Sequence, residues 1–171
     1  MSEIQKWFDR KFDLTFPVEL YPNILTRLRG TPARLEELIR VYSLKTLTNQ
    51  QDGTWSIQEN TGHLLDLEPL WLSRLEDFVS GVETLRPADL SNRTTHQANH
   101  NASDVQDILR QFRKARALLV ERAENFDAAM YSRAALHPRL KTPLRLVDHL
   151  YFVAEHDDQH IARIWELGKI K

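Results

Sequence analysis

The stretch Ser56–Gly81, SIQENTGHLLDLEPLWLSRLEDFVSG, decides the fold. It opens on Ser56-Ile57-Gln58-Glu59, the form of a capping box. The Ser56 hydroxyl can satisfy an orphan amide of the first turn while Glu59 reaches back to the amide of Ser56. Leu64, Leu67, Leu70, Trp71, Leu75 and Phe78 then recur at helical spacing, so one face of a long helix running to about Gly81 points into a core. The first inward position of that stripe is a histidine, His63.

Similar helices flank this one. Ser103-Asp104-Val105-Gln106 repeats the capping-box form, and Val105, Ile108, Leu109, Phe112, Ala115, Leu119 and Val120 make an amphipathic stripe behind it. Thr142-Pro143 has the form of an N-cap followed by a first-turn proline, opening a last helix that runs to about Leu167. Upstream, Leu20 to Arg29 predicts a helix that stops at Gly30. Thr31-Pro32 then starts another, with the stripe Leu35, Leu38, Ile39 and Tyr42. Asp52-Gly53 is a turn signal. Residues 85–101 are polar and irregular, and residues 126–141 predict a loop with room for a short extended piece. Ile4, Trp7, Phe8 and Phe12 share one side of a short helix within an N-terminal arm, residues 1–19. Four main helices with short connections imply an all-α, up-down antiparallel four-helix bundle, one domain over residues 1–171. The Ser56 and Thr142 helices should be neighbours, and Trp71, Phe78, Phe112, Leu119, Leu150 and Val153 should be buried.

Composition narrows the function. Of 171 residues, 42% are apolar and 27% charged, a balance able to build a hydrophobic core. The 5 glycines leave few sharp turns, which favours long helices. The net charge of −1 comes from dispersed Lys and Arg, not from the basic face that neutralises phosphates, so no nucleic-acid partner is expected. No run is long and apolar enough for a membrane, and Met1-Ser2-Glu3-Ile4-Gln5-Lys6 has no apolar signal region; a cytoplasmic location is the expectation. There is no cysteine, so thiolate nucleophiles and thiolate metal sites are excluded, and a metal would rest on His, Asp or Glu.

The histidines carry the chemistry. The last helix has an inward stripe of Leu146, Leu150 and Val153 that resumes at Ile164. His156 and His160 interrupt it four residues apart, so they project side by side from one face. His63 stands in the stripe of the Ser56 helix, which the bundle would bring alongside. Polar groups in core positions on two helices need partners, and three imidazoles around one divalent cation supply them. His149 lies about 10 Å along the axis from His156, too far to share that ion easily, and packing is its expected role. His96 and His100 are expected to be solvated, and His137 to sit in a loop facing solvent or a pocket mouth. Asp66 and Asp157 are candidates for orienting an imidazole or for general-base work, whereas Glu155 and Asp158 should diverge from the ligand face. Two metal patterns are absent: the paired Glu-x-x-His of di-iron bundles and the His-Glu-x-x-His of zincins.

Two segments, Trp55-Ser56-Ile57-Gln58-Glu59-Asn60-Thr61-Gly62-His63-Leu64 and Glu155-His156-Asp157-Asp158-Gln159-His160-Ile161, resemble the DinB/YfiT-like superfamily of metalloenzymes, and His137-Pro138 resembles its YfiT branch. The resemblance extends from about Leu20 to Leu167. It implies a four-helix bundle with a three-histidine divalent site at His63, His156 and His160, holding nickel or zinc, and a homodimer. Some members of the superfamily transfer bacillithiol or mycothiol, which implies a low-molecular-weight thiol as cosubstrate. The leading expectation is transfer of such a thiol to a small-molecule electrophile. The alternatives are a metal-dependent hydrolase with Asp66 as catalytic base, and a non-enzymatic metal- or ligand-binding stress-response protein.

Overall fold

The computed structural model describes residues 4–51 and 53–169. Among them, helices α1 (Tyr21–Ile39), α2 (Leu44–Thr48), α3 (Ile57–Ser80), α4 (Arg93–Ala98) and α5 (Val105–Glu124) are followed by strands β1 (Ala134–His137) and β2 (Thr142–Arg145) and then by α6 (Leu146–Gly168). The four long helices form the expected four-helix bundle, in which α1 and α3 each pack against both α5 and α6, but their order departs from up-down alternation because α5 does not reverse the direction of α3. Trp71, Phe78, Phe112, Leu119, Leu150 and Val153 are all buried. No described helix is long and apolar enough to cross a membrane.

Helix α3 starts where its capping box says it should. Glu59 N donates to Ser56 Oγ at 3.1 Å and Ser56 N donates to Glu59 Oε2 at 2.8 Å. It ends on Gly81, whose φ of 68° is a left-handed conformation that glycine adopts without a Cβ penalty. His63 and Trp71 of α3 face His160 and His149 of α6 in reverse order, so these two helices are antiparallel neighbours. Helix α5 runs parallel to α3, since Arg116 pairs with Glu68 and Arg122 with Glu76. The long connection over residues 81–104 lets the chain return to the end from which α3 began.

Helix α1 does not stop at Gly30; it is continuous through Gly30-Thr31-Pro32. Pro32 has no N–H for the carbonyl of Leu28, and Arg116 Nη1 donates to that carbonyl instead, at 3.4 Å. Thr31 does not cap a new helix but donates its hydroxyl to Asp157 Oδ2 at 3.0 Å. Thr142-Pro143 does not open the last helix either. Both residues lie in β2, which pairs antiparallel with β1 in the register Leu136↔Pro143, His137↔Thr142. Arg145 precedes α6, and its backbone N–H donates to Asp148 Oδ2 at 2.9 Å. Residues 85–101 are partly ordered as α4, and a 3-10 turn follows over His100–Ala102. Asp104, not Ser103, caps α5, accepting from Gln106 N at 2.8 Å. Gly53 has the positive φ (72°) of the expected turn, while Asp52 lies outside the described residues.

The N-terminal arm forms a 3-10 turn at Trp7–Asp9 in place of the expected short helix. Its aromatic residues bind it to α6, with Trp7 and Phe12 at 5.0 and 5.2 Å from Phe152, ring centre to ring centre. Arg10 adds an ion pair to Glu155.

Candidate metal centre

His63 lies in the second turn of α3, and His156 and His160 lie one turn apart on the facing side of α6. Their ring centroids are 5.4 Å (His63–His156), 4.8 Å (His63–His160) and 4.6 Å (His156–His160) apart. One nitrogen from each lies within 4.8 Å of the other two. The sequence pattern points to these three, and among the described residues the structure brings the same three together. They line a cavity of about 680 Å³, whose wall also includes the rings of Trp7, Trp55, Trp71 and Phe152. Trp55 lies 4.7 Å from His63, and Trp7 and Trp71 lie 5.1 and 5.8 Å from His156.

Hydrogen bonds determine which nitrogen two of these rings offer. The Asp66 carboxylate is opposed by burial, yet bonds from His100 and Thr95 hold it below the usual carboxylate range, so it is charged and can only accept. Thr95 Oγ1 therefore donates to Asp66 Oδ2, at 2.8 Å, and has its lone pairs left for His63 Nδ1 at 3.0 Å. His63 thus carries its proton on Nδ1, and Nε2 is free. Asn60 is oriented by donating Nδ2 to the carbonyls of Trp55 (3.2 Å) and Ser56 (2.8 Å). Its Oδ1 then accepts from His160 Nδ1 at 2.9 Å, freeing Nε2 of that ring as well. The buried Nδ1 of His156 has no hydrogen-bond partner among the described residues.

Burial, reinforced by His160, pushes His63 down to about 3. Burial also holds His156 and His160 well below the usual imidazole range, with neighbouring histidines adding to the shift. All three rings are neutral near pH 7, the state in which imidazole binds a metal. Neutral imidazoles with oriented free nitrogens and one orphaned polar atom, converging beside a cavity, fit a divalent cation such as zinc or nickel.

Asp66 does not line the cavity; it reaches His63 only through Thr95. Asp157 faces away, into an ion pair with Arg116. Glu155 and Asp158 diverge as expected, with Arg27 binding each at 2.5 Å. His149 is buried near Trp71, with neither ring nitrogen partnered among the described residues, and does not line the cavity. His96 is exposed.

His100 was expected in solvent, but it is buried, donating Nε2–H to Asp66 Oδ2 at 2.9 Å. Gly62 makes this possible, because a Cβ there would collide with the His100 ring. A glycine inside a helix beside a candidate ligand was the available sequence signal for such close approach. Thr95 had no signal of its own. His137 is also buried, at the end of β1, and lines the cavity.

A family model described as the DinB superfamily matches residues 27–164, a span that includes all three histidines. The chain belongs to the DinB superfamily. Its fold is similar to the solved structure of YfiT from Bacillus subtilis, with a TM-score of 0.78 and 21% identity over 92% of this chain and 91% of that one. YfiT is described as a probable metal-dependent hydrolase with an unusual four-helix bundle topology. No curated protein matched the sequence.

Proposed function

We propose that this chain is a divalent-metal-dependent enzyme acting on a small molecule, with His63, His156 and His160 as the protein ligands of zinc or nickel. One observation carries the reading: three neutral imidazoles converge within 4.8 Å in the wall of an open cavity. Three protein ligands leave coordination positions open toward that cavity, the pattern of a catalytic site. When bound, the ion would supply Lewis-acid polarisation and would lower the pKa of a thiol or water ligand.

The finer reading is transfer of a low-molecular-weight thiol to an electrophile: the S–H bond breaks with its proton passing to solvent, and a C–S bond forms as the electrophile's π bond opens or its leaving group departs with the bonding pair. The chain has no cysteine, so the sulfur comes from the cosubstrate. Asp66, which would serve a hydrolase as base, is engaged by Thr95 and His100 outside the cavity. It is a positioning residue that holds the His63 tautomer. Trp7, Trp55 and Trp71 pack against the ligand rings and help to hold them in place. Hydrolysis is the second reading, favoured by the description of YfiT.

Metal analysis of the purified protein and of single alanine variants tests the site. His63→Ala, His156→Ala and His160→Ala should each lower metal affinity by more than about 100-fold, while His96→Ala leaves it unchanged. Three variants that hold metal as well as the wild type would overturn the proposal. A panel of thiols against a generic electrophile, run beside a panel of esters, then separates transfer from hydrolysis.

A further inference from the structure

The cavity has a second polar end that the three histidines do not use. Arg74 of α3 is fully buried, and its Nε and Nη2 donate to the carbonyl of Arg86 at 3.0 and 2.9 Å. Its Nη1 has one neighbour, His137 Nε2, at 3.3 Å. On the other side of that ring, Nδ1 lies in front of two backbone N–H groups, Arg139 at 3.3 Å and Leu140 at 3.2 Å. Burial, with Arg74 and Arg139 adding to it, pushes His137 down to about 3, so the ring is neutral and carries a single proton. Placing that proton on Nδ1 would set it against two amides. The proton therefore belongs on Nε2, where it faces a guanidinium N–H. Two donors confront each other with no acceptor between them.

A third donor lines the same cavity, near enough for its charge to add to burial in lowering both Arg74 and His137. Arg139 Nη2 is buried without a partner among the described residues, and its guanidinium is stacked 5.2–5.7 Å from the rings of Trp7, Phe8 and Phe152. Neither cation has a carboxylate to itself. Asp77, the acid nearest Arg74 in charge, is held by Arg86 through Nε at 2.9 Å and Nη2 at 2.5 Å. Burial alone lowers Arg139, with no acid opposing the shift. Buried, uncompensated N–H donors are costly unless an acceptor arrives.

We propose that Arg74, His137 and Arg139 form an oxyanion subsite that takes the carboxylate of a small organic acid. Three donors that line one cavity suit the two oxygens of a carboxylate. The Trp7 ring lies 5.7 Å from the Arg139 guanidinium and 5.1 Å from His156, and all three line one cavity, so an apolar segment of the same ligand can run from this subsite to the histidines. The subsite stands on its own donors; the claim that the ligand's other end reaches a metal rests on the function proposed above.

Titration calorimetry tests the two parts separately. The first part uses the full chain stripped of metal by chelation, with 3-phenylpropionate and 3-phenylpropionamide as probes. The acid should bind about tenfold or more tightly than the amide, and Arg139→Gln should remove that preference. Arg139 is only half-buried, so this variant is expected to fold, which a thermal melt confirms; Arg74→Lys provides a second variant that keeps the charge while shortening the donor set. Equal binding of acid and amide, or a preference that survives Arg139→Gln in folded protein, overturns the subsite. The second part repeats the comparison on nickel-loaded protein with 3-mercaptopropionate and 3-mercaptopropanol. An acid preference in stripped protein that is not strengthened by nickel and the thiol group overturns the bridging claim and leaves the subsite standing. Failure of nickel to bind at all overturns the metal reading, again without touching the first part.

Discussion

Helices α3 and α6 bury two polar clusters side by side, and the clusters are built on opposite logic. One holds Glu68, Asp157 and Arg116, with Thr31 at its edge. Arg116 donates to Glu68 through Nη2 at 2.5 Å and Nε at 3.1 Å, and to Asp157 through Nη2 at 3.1 Å and through Nη1. Burial opposes its charge, but Asp157 and Glu68 hold it more firmly protonated than a free guanidinium. The other cluster is the histidine triad. His156 and Asp157 are consecutive, yet the helix sends them to opposite sides, one to the cavity and one to a closed ion pair. In the first cluster every polar group finds its partner within the protein. In the second the donors are oriented but their free nitrogens face space. Burial of polar residues is common to both; of these two clusters, the triad is the one that leaves ring nitrogens without a partner, and that makes it the candidate site.

The comparison breaks most sharply on stability. Arg116→Met leaves Glu68 and Asp157 buried without their cation and should cost about 3–5 kcal/mol. His156→Leu, in metal-free protein, replaces an imidazole with an orphaned nitrogen by an apolar group of similar size. It should leave stability equal or raised while abolishing tight metal binding. Denaturant unfolding of the two variants beside the wild type checks both. A large loss in His156→Leu would mean that the triad, too, is structural.

Acid should separate the clusters by sign. His63 and His137, both lowered to about 3, stay neutral in the folded chain while their unfolded counterparts take up protons near 6.5. Between those values the unfolded state binds more protons, so stability falls as pH drops. Glu68 does the reverse. Burial, against the pull of Arg116, pushes it up to about 7, so between 4.5 and 7 the folded state binds the extra proton and stability rises as pH drops. The two histidines outweigh the one acid, and these three groups together should cost metal-free protein about 1.5 kcal/mol on going from pH 6.5 to 5. Glu68→Gln should steepen that loss, relative to its own value at neutral pH. A profile flat over this range, or one made shallower by Glu68→Gln, would contradict the assignment.

What could be read in the sequence was what short-range pattern encodes. The ends of α3 follow from Ser56, Glu59 and Gly81, and the candidate ligands follow from His156 and His160 being one turn apart and from His63 standing in an inward stripe. What escaped depended on residues far apart in the chain. Gly30-Thr31-Pro32 has every local mark of a helix boundary, but the carbonyl freed by Pro32 is met by Arg116 and the Thr31 hydroxyl by Asp157. Thr142-Pro143 has the local mark of a helix start, but β1 takes it as a strand partner. His100 stands in a polar stretch and is buried because Gly62, in another helix, leaves room for its ring. The arginines of the second subsite were unremarkable in sequence; what distinguishes them is that neither has a carboxylate of its own.

The smallest expected effect tests whether the orientation of the ligands matters as well as their presence. Thr95→Val keeps the shape of the side chain and removes the one hydroxyl that couples Asp66 to His63. Without it, Nδ1 of His63 loses its acceptor and the ring can adopt the other tautomer, which turns its proton toward the position the metal needs. Partners of this kind change metal affinity by about 10- to 100-fold. The expected result is therefore a loss of that size in metal affinity, with Asp66→Asn producing a comparable drop because it weakens the same chain one bond further out. The thermal melt of metal-free Thr95→Val should stay close to that of the wild type, which separates a positioning role from a structural one. Unchanged metal affinity in a folded Thr95→Val would show that α4 merely covers the site. His63 would then be oriented by its packing against Trp55 alone.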